Sequence, residues 1–272
     1  MRTFSSVAEL RVALAGAPRP LGLVPTMGAL HAGHAALVAR CREECATTVA
    51  SVFVNPLQFG PGEDLERYPR TLDADRALLE GLGAACLFLP APGEVYPPGF
   101  ATAVDPGPLG ALLEGAARPG HFRGVATVVV KLLHATGCDR AYFGRKDAQQ
   151  LAVVRRVVRD LDLPVAVVPV ETVREPDGLA LSSRNAYLDP AQRRRALGLS
   201  AGLFRARAAW AAGERDGARL EALARTPGLA YDYAALVDPE TFLPPRPGGP
   251  ALLAAAVRLG AVRLIDNVFL EG

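Results

Sequence analysis

A short apolar run, residues 21–24, leads directly into Pro25-Thr26-Met27-Gly28-Ala29-Leu30-His31-Ala32-Gly33-His34, and an amphipathic stretch, 35–45, follows. Read by apolar spacing and glycine placement, this is a strand, a tight turn and the start of a helix. The order sets two imidazoles three residues apart, with a glycine between them, at a helix N-terminus. Unpaired N–H groups and the helix dipole make such a place attractive to phosphate. Gly28 and Gly33 are expected to let the backbone approach a ligand closely, and neutral imidazoles can donate hydrogen bonds to phosphate oxygens.

The rest of the chain repeats the pattern. Residues 47–54, 85–89, 140–143 and 165–170 are also β-rich, and 72–82, 124–135 and 148–161 carry helical spacing. Ser6 and Glu9 read as a capping box that opens a first helix reaching about residue 15. Such alternation predicts an α/β fold, a mostly parallel sheet with helices on both faces. Ligands of open sheets of this class sit beyond the carboxyl ends of the strands. His31, His34, Asn55, Gln58, Lys146 and Asp147 all fall just after predicted strands and are expected to converge on one crevice.

The pattern changes after about Thr172. A long Arg/Ala-rich helix (190–212), a shorter one (217–224) and three strand-like runs (230–237, 251–258, 262–269) close the chain. Helices followed by consecutive strands predict a small α+β unit. The expected domains are therefore 1–172 and 173–272, with the proline- and glycine-rich stretch 244–250 as a connection between strands.

Composition narrows the function classes. The chain has 272 residues, half of them hydrophobic, and a net charge of +2. That is enough for a sizeable core, and the near-neutral charge argues against nucleic acid or a membrane surface as the main partner. Cys41, Cys45, Cys86 and Cys138 lack metal-site or disulfide-framework spacing and read as buried free thiols of a reducing compartment. With no secretory leader pattern and no membrane-length apolar run, the expected location is the cytoplasm. Lysine occurs only at Lys131 and Lys146 among 30 cationic side chains. Lys146, in the 144–147 turn, is placed for a phosphate contact; Lys131, in an apolar helical run, is expected to snorkel.

The His31-Ala32-Gly33-His34 element matches the HxGH signature of a nucleotidyl-transferring α/β superfamily. The longer string, with five further blocks in order, resembles the pantothenate synthetase (pantoate–β-alanine ligase) family. Those blocks are Phe53-Val54-Asn55-Pro56-Leu57-Gln58-Phe59, Tyr68-Pro69-Arg70-Thr71, His121-Phe122-Arg123-Gly124-Val125, Phe143-Gly144-Arg145-Lys146-Asp147-Ala148-Gln149-Gln150 and Leu181-Ser182-Ser183-Arg184-Asn185. The resemblance implies a Rossmann-like sheet domain, a small C-terminal lid domain and a homodimer. It also implies two half-reactions: pantoate attacks the α-phosphate of ATP to give pantoyl adenylate and pyrophosphate, and β-alanine then displaces AMP. Mg²⁺ is implied with the ATP phosphates, its protein ligands unknown.

By the same resemblance, ATP would be held by Met27, Gly28, Ala29, Leu30, His31, Gly33 and His34, by Gly144, Arg145, Lys146 and Asp147, by the backbone of Val173, and by Leu181, Ser182, Ser183 and Arg184. Leu181 stands where the family commonly has Met, a swap that conserves volume. His31, His34 and Lys146 would stabilise charge during transfer, with His34 as proton donor. Gln58 and Gln150 are expected to read the hydroxyls and carboxylate of pantoate, and Asn55 to orient pantoate or β-alanine, because amides both donate and accept. Val125, Val128, Val129 and Phe143 are offered as an apolar wall, although core packing alone accounts for them. His134 reads as structural and His121 stands open between structure and site. Asp73 and Asp75 are possible outer ligands of Mg²⁺ but read better as solvated helix-face carboxylates. A hinge is expected in 171–178, where Pro176-Asp177-Gly178 forms a turn. The alternatives are a nucleotidyltransferase of the same superfamily acting on another small acceptor, or a nucleotide-binding sensor without catalysis.

Overall fold

Residues Met1–Glu271 are described by a computed structural model. The chain divides into two compact units: Met1–Gly144 with Val153–Val170, and Arg145–Ala152 with Glu171 onward.

The first unit follows the alternation read from the sequence. Its elements begin with β1 (Arg2–Phe4), α1 (Val7–Leu14), β2 (Leu21–Thr26), α2 (Ala32–Glu44), β3 (Thr47–Val52), α3 (Leu72–Gly81) and β4 (Cys86–Phe88). Two one-turn helices, α4 (Pro92–Val95) and α5 (Glu114–Ala117), precede α6 (His121–Thr136), β5 (Arg140–Gly144), α7 (Ala148–Asp160) and β6 (Ala166–Val170). The first five residues of α7 belong to the second unit. The strands form one sheet of order β1-β4-β3-β2-β5-β6, parallel at each pairing. Parallel strands covered on both faces read as continuous apolar runs. Accordingly β3 is buried at each of its six positions.

The chain lays β3 and β4 to one side of β2 and then crosses to place β5 and β6 on the other. The direction of winding reverses between β2 and β5, and the crevice of an open sheet lies at that point. β1 was not anticipated. It has only three residues, two of them exposed, so it carries no alternation to read.

Tyr142, Leu87, Leu79 and Val24 form the centre of one core cluster with the thiols of Cys41 and Cys45. All four cysteines are free and buried, as expected. Burial pushes the Cys41 thiol up to about 12 and that of Cys138 up to about 11, so both stay protonated and unreactive at neutral pH.

In the second unit, a single 3₁₀ turn, Arg145–Asp147, runs into the start of α7. Later come α8 (Pro190–Ala211), α9 (Gly217–Ala224), β7 (Ala230–Val237), β8 (Ala251–Leu259) and β9 (Val262–Leu270). Asp189 and Asp216 cap the two helices, each accepting backbone N–H groups of the first turn. The three strands form an antiparallel sheet, β7-β8-β9, against which Leu199, Leu203 and Leu220 of the helices pack. The expected small α+β arrangement is present.

Candidate active site

Between the end of β2 and the start of α2 the chain turns through Gly28 (φ +82°) and Ala29 (φ +51°). Asp75, in the first turn of α3, fixes this loop. Its two oxygens accept the Ala29 N–H at 3.0 Å and the Leu30 N–H at 2.8 Å, and the Thr71 hydroxyl donates at 3.0 Å. Asp75 is 2% exposed, so the expectation of a solvated carboxylate fails. Asp75 thereby satisfies two part-buried backbone amides of the turn. Three hydrogen bonds thus occupy its two oxygens. Among the described residues no group of three or more His, Cys, Asp or Glu side chains is arranged to hold a metal ion.

The two histidines form a reciprocal cap at the start of α2. Nδ1 of His31 accepts the Gly33 N–H at 3.1 Å, and Nδ1 of His34 accepts the His31 N–H at 3.3 Å. Their ring centroids are 4.2 Å apart. A neutral imidazole that accepts at Nδ1 carries its proton on Nε2. The turn therefore sets the tautomer of both rings as Nε2–H donors, which the sequence alone left undetermined. It also gives Gly33 another purpose than the expected one. The space beside its Cα is taken by the His31 ring, not left open for a ligand.

After β3, Asn55 caps a short 3₁₀ turn, Pro56–Gln58, that ends on Gln58. Asn55 is 1% exposed and its amide is fully used. Oδ1 accepts from the Tyr96 hydroxyl at 2.7 Å and from the Leu57 N–H at 3.3 Å, while Nδ2 donates to Gly124 O at 3.1 Å and to Gln58 Oε1 at 3.0 Å. This pins the orientation of the Gln58 amide, whose Nε2 donates toward Met27 Sδ at 3.0 Å. Asn55 thus acts on Gln58. Gly124 allows the approach, since a Cβ there would lie 2.1 Å from Leu57 O.

His121, left open by the sequence, supports the same residue from below. Its Nδ1 lies 2.8 Å from Gln58 O and its Nε2 3.2 Å from Arg118 Nη1. Only the neutral ring protonated at Nδ1 satisfies both, donating to the carbonyl and accepting from the guanidinium. Burial, and then the neighbouring Arg118 charge, lower the His121 pKa to about 4. Arg118 pairs with Glu63, Nε donating to Oε1 at 2.8 Å, and also donates to Gln58 O at 3.2 Å. Sequence reasoning missed Tyr96, Arg118 and Glu63. The only hint was the His121–Val125 block that carries Gly124.

Val125, Val128, Val129 and Phe143 are core residues, none more than 6% exposed. His134 sits on an exposed helical face. Lys131 does not simply snorkel: its ammonium lies over the Phe100 ring, 4.9 Å from the centroid. Gly144 ends β5, paired with Val170 of β6.

The second unit holds the remaining candidates. Lys146, in the 3₁₀ turn, is paired loosely with Asp147 at 3.7 Å. Its neighbour Arg145 stacks on Phe269 at 4.4 Å and pairs with Glu171 at 3.1 Å. Arg145 also borders a cavity of about 610 Å³, shared with Arg174, Phe204, Arg207 and Trp210. Gln150 is half-buried on α7.

Residues 173–181 fold back as a hairpin. The Leu181 N–H donates to Val173 O at 3.0 Å and the Gly178 N–H to Glu175 O at 2.8 Å. Arg193 ties Glu175 and Asp177 to α8. So many bonds make 173–178 a poor hinge, contrary to expectation, and leave only residues 171–172 of that stretch unpinned by the hairpin. Ser182 caps the following 3₁₀ turn, Ser183–Tyr187, accepting the Arg184 N–H at 3.3 Å.

Comparison with known proteins agrees with this architecture. The model of the family described as pantoate-beta-alanine ligase matches residues 2–269. Pantothenate synthetase of Thermus thermophilus is 56% identical, the alignment covering 98% of this chain and 99% of the relative. Pantothenate synthetase 1 of Bradyrhizobium diazoefficiens is 53% identical over 100% and 99%. A solved T. thermophilus pantothenate synthetase superposes with a TM-score of 0.93 at 53% identity, each chain fully covered. A Francisella tularensis pantoate-beta-alanine ligase, solved in complex with beta-gamma ATP and beta-alanine, gives 0.82 at 31% identity over 100% and 98%. Full-length agreement in sequence and in fold leaves one conclusion, that this chain belongs to the pantoate–β-alanine ligase family.

Proposed function

We propose that this chain condenses pantoate with β-alanine at the expense of ATP, forming pantothenate, AMP and pyrophosphate through pantoyl adenylate. The observation that carries the reading is the HxGH turn at the carboxyl end of β2, beside the switch point of the sheet, in a chain matching the ligase family over residues 2–269.

A carboxylate oxygen of pantoate attacks the α-phosphorus, and the bond to the bridging oxygen of pyrophosphate breaks. The β-alanine amine then attacks the acyl carbon, the acyl–phosphate bond breaks, AMP leaves and the ammonium proton is lost. Neither step needs a covalent enzyme nucleophile; both need placement and charge neutralisation. His31 and His34, each a donor at Nε2, stabilise charge on the α-phosphate and the leaving group, with His34 giving the proton. Lys146 neutralises phosphate charge, and Asp147 holds ribose or orients the lysine. Gly144 and the Val173 backbone border the nucleoside. Leu181, Ser182, Ser183 and Arg184 serve the outer phosphates, and Mg²⁺ enters with ATP as part of the substrate. Gln58 and Gln150 read pantoate, and Asn55 works by aiming Gln58.

The C-terminal segment, 173–272, acts as a lid that excludes water from the acyl adenylate, a step that favours transfer over hydrolysis. The working form is a cytoplasmic homodimer. No helix among the described residues is long and apolar enough to cross a membrane.

Enzyme mixed with ATP and pantoate, without β-alanine, is expected to release pyrophosphate and retain pantoyl adenylate; adding β-alanine should yield AMP. ADP with an acyl phosphate would overturn the mechanism. Adenylation with another acid or a mononucleotide in place of pantoate would favour the nucleotidyltransferase alternative.

A further inference from the structure

β9 reads Val-Arg-Leu-Ile-Asp-Asn-Val-Phe-Leu, with two consecutive polar residues in the middle of an apolar edge strand. Asp266 is 2% and Asn267 5% exposed. Asp and Asn are depleted in strands, and a buried polar pair there breaks the local rule for no gain in the sheet itself. Their opposite numbers on β8 are Ala255 and Ala254, which offer no side-chain partner.

Both residues find their side-chain partners outside the three-stranded sheet. Asn267 Nδ2 donates to the carbonyls of Arg145 at 2.9 Å and Lys146 at 2.8 Å. Asp266 accepts both arms of the Arg174 guanidinium, at 2.6 and 2.8 Å, and its Oδ1 also accepts the Asn267 N–H at 2.8 Å. Arg174 in turn donates to Asn267 O at 3.3 Å. Asn267 is therefore held on both sides of its own backbone while its amide grips two successive carbonyls of the turn that carries Lys146.

Carbonyls at the start of a helix already meet N–H groups three or four residues on. A second donor is not needed to satisfy them, so its effect is restraint. Lysine has a long flexible stem, and a fixed backbone origin limits where its ammonium can go. We infer that Asn267, braced by the Asp266–Arg174 pair, is a positioning residue that aims Lys146 during adenylation. This rests on the phosphate-neutralising role given to Lys146 above.

The test is a double-mutant cycle read by single-turnover pyrophosphate release from ATP and pantoate. Asn267→Ala is expected to slow this step about 10- to 100-fold, the scale of a misplacement near 1 Å. Asn267→Thr, which suits a strand and keeps one donor, should lose less and supplies the same cycle if the alanine variant does not fold. The decisive readout is the background: with Lys146→Ala present, either substitution should cost almost nothing more, because its route is already gone. Equal fold-losses in both backgrounds would overturn the positioning role while leaving Lys146 intact as a phosphate ligand. Full-rate adenylation by Lys146→Ala alone would instead overturn the reading of Lys146 itself, and the inference with it.

Discussion

The imidazole of His31 fills the space that a side chain on Gly33 would need. A Cβ at position 33 would sit 2.8 Å from Cε1 and 2.9 Å from Nδ1 of that ring, and Nδ1 is the atom that accepts the Gly33 N–H. The glycine between the two histidines is thus a condition for the tautomer of the first.

Gly33→Ala should separate stability from activity. Gly33 lies in the first turn of α2, where alanine is the better helix former by up to about 1 kcal/mol. The added methyl must displace the His31 ring and its cap. Thermal melting is expected to change little, the gain in helix propensity being offset by the lost cap, while pyrophosphate release falls at least ~10-fold as one charge-stabilising donor moves away. An alanine variant with full adenylation would show that the ring position is irrelevant.

The assigned roles predict distinct kinetic signatures. His34→Ala and Lys146→Ala should each slow adenylate formation by ~10²-fold or more, with pantoate affinity little altered. Gln58→Ala should raise KM for pantoate and leave ATP binding largely intact. A loss at Arg145→Ala with near-normal Lys146→Ala would transfer the phosphate contact to Arg145, although its guanidinium is stacked on Phe269.

The longer strands and helices and the motifs of this chain were legible because each rests on local pattern, whereas β1 and the one-turn helices α4 and α5 are too short to carry one. The apolar runs of β2 and β3 and the cap at Ser6 are written in adjacent residues. What escaped is held by contacts distant in sequence. Asp75 reaches a loop 45 and 46 residues away, His121 a carbonyl 63 away and Asn267 a turn more than 120 away. Periodicity cannot show which carboxylate on an exposed-looking helix face will meet a buried amide. The choice between solvent and partner for Asp75 is made only when α3 packs.

Stability should depend on pH through His121. Its folded pKa, about 4, lies below the ordinary 6.5, because burial and the Arg118 charge disfavour the imidazolium. The unfolded state therefore binds the proton more readily. The contribution is fully present above about pH 6.5, falls as pH drops from there toward 4, and changes no further below. Urea midpoints measured between pH 7 and 5 should decline in the parent chain. They should be flatter in His121→Gln, which keeps a donor for Gln58 O without a titrating ring. That window lies above most carboxylate pKa values, so acidic groups contribute little to the slope. Parallel slopes in the two proteins would place the titration elsewhere.

Asp75 should matter to the HxGH loop without touching substrate. Its carboxylate accepts two backbone N–H groups and one hydroxyl. Asp75→Asn keeps the volume but turns one acceptor into a donor facing an N–H or hydroxyl donor, so at least one of the three bonds is lost. Leaving a buried donor unmatched costs about 1–3 kcal/mol. The melting temperature is therefore expected to fall, and the loop amides of Ala29 and Leu30 to gain faster hydrogen exchange. Because His31 follows Leu30 directly, the loosened loop should also raise KM for ATP and slow adenylation, with pantoate KM less affected than by Gln58→Ala. Unchanged exchange at Ala29 and Leu30, with full activity, would mean that the loop holds its shape by its own turn geometry and not through Asp75.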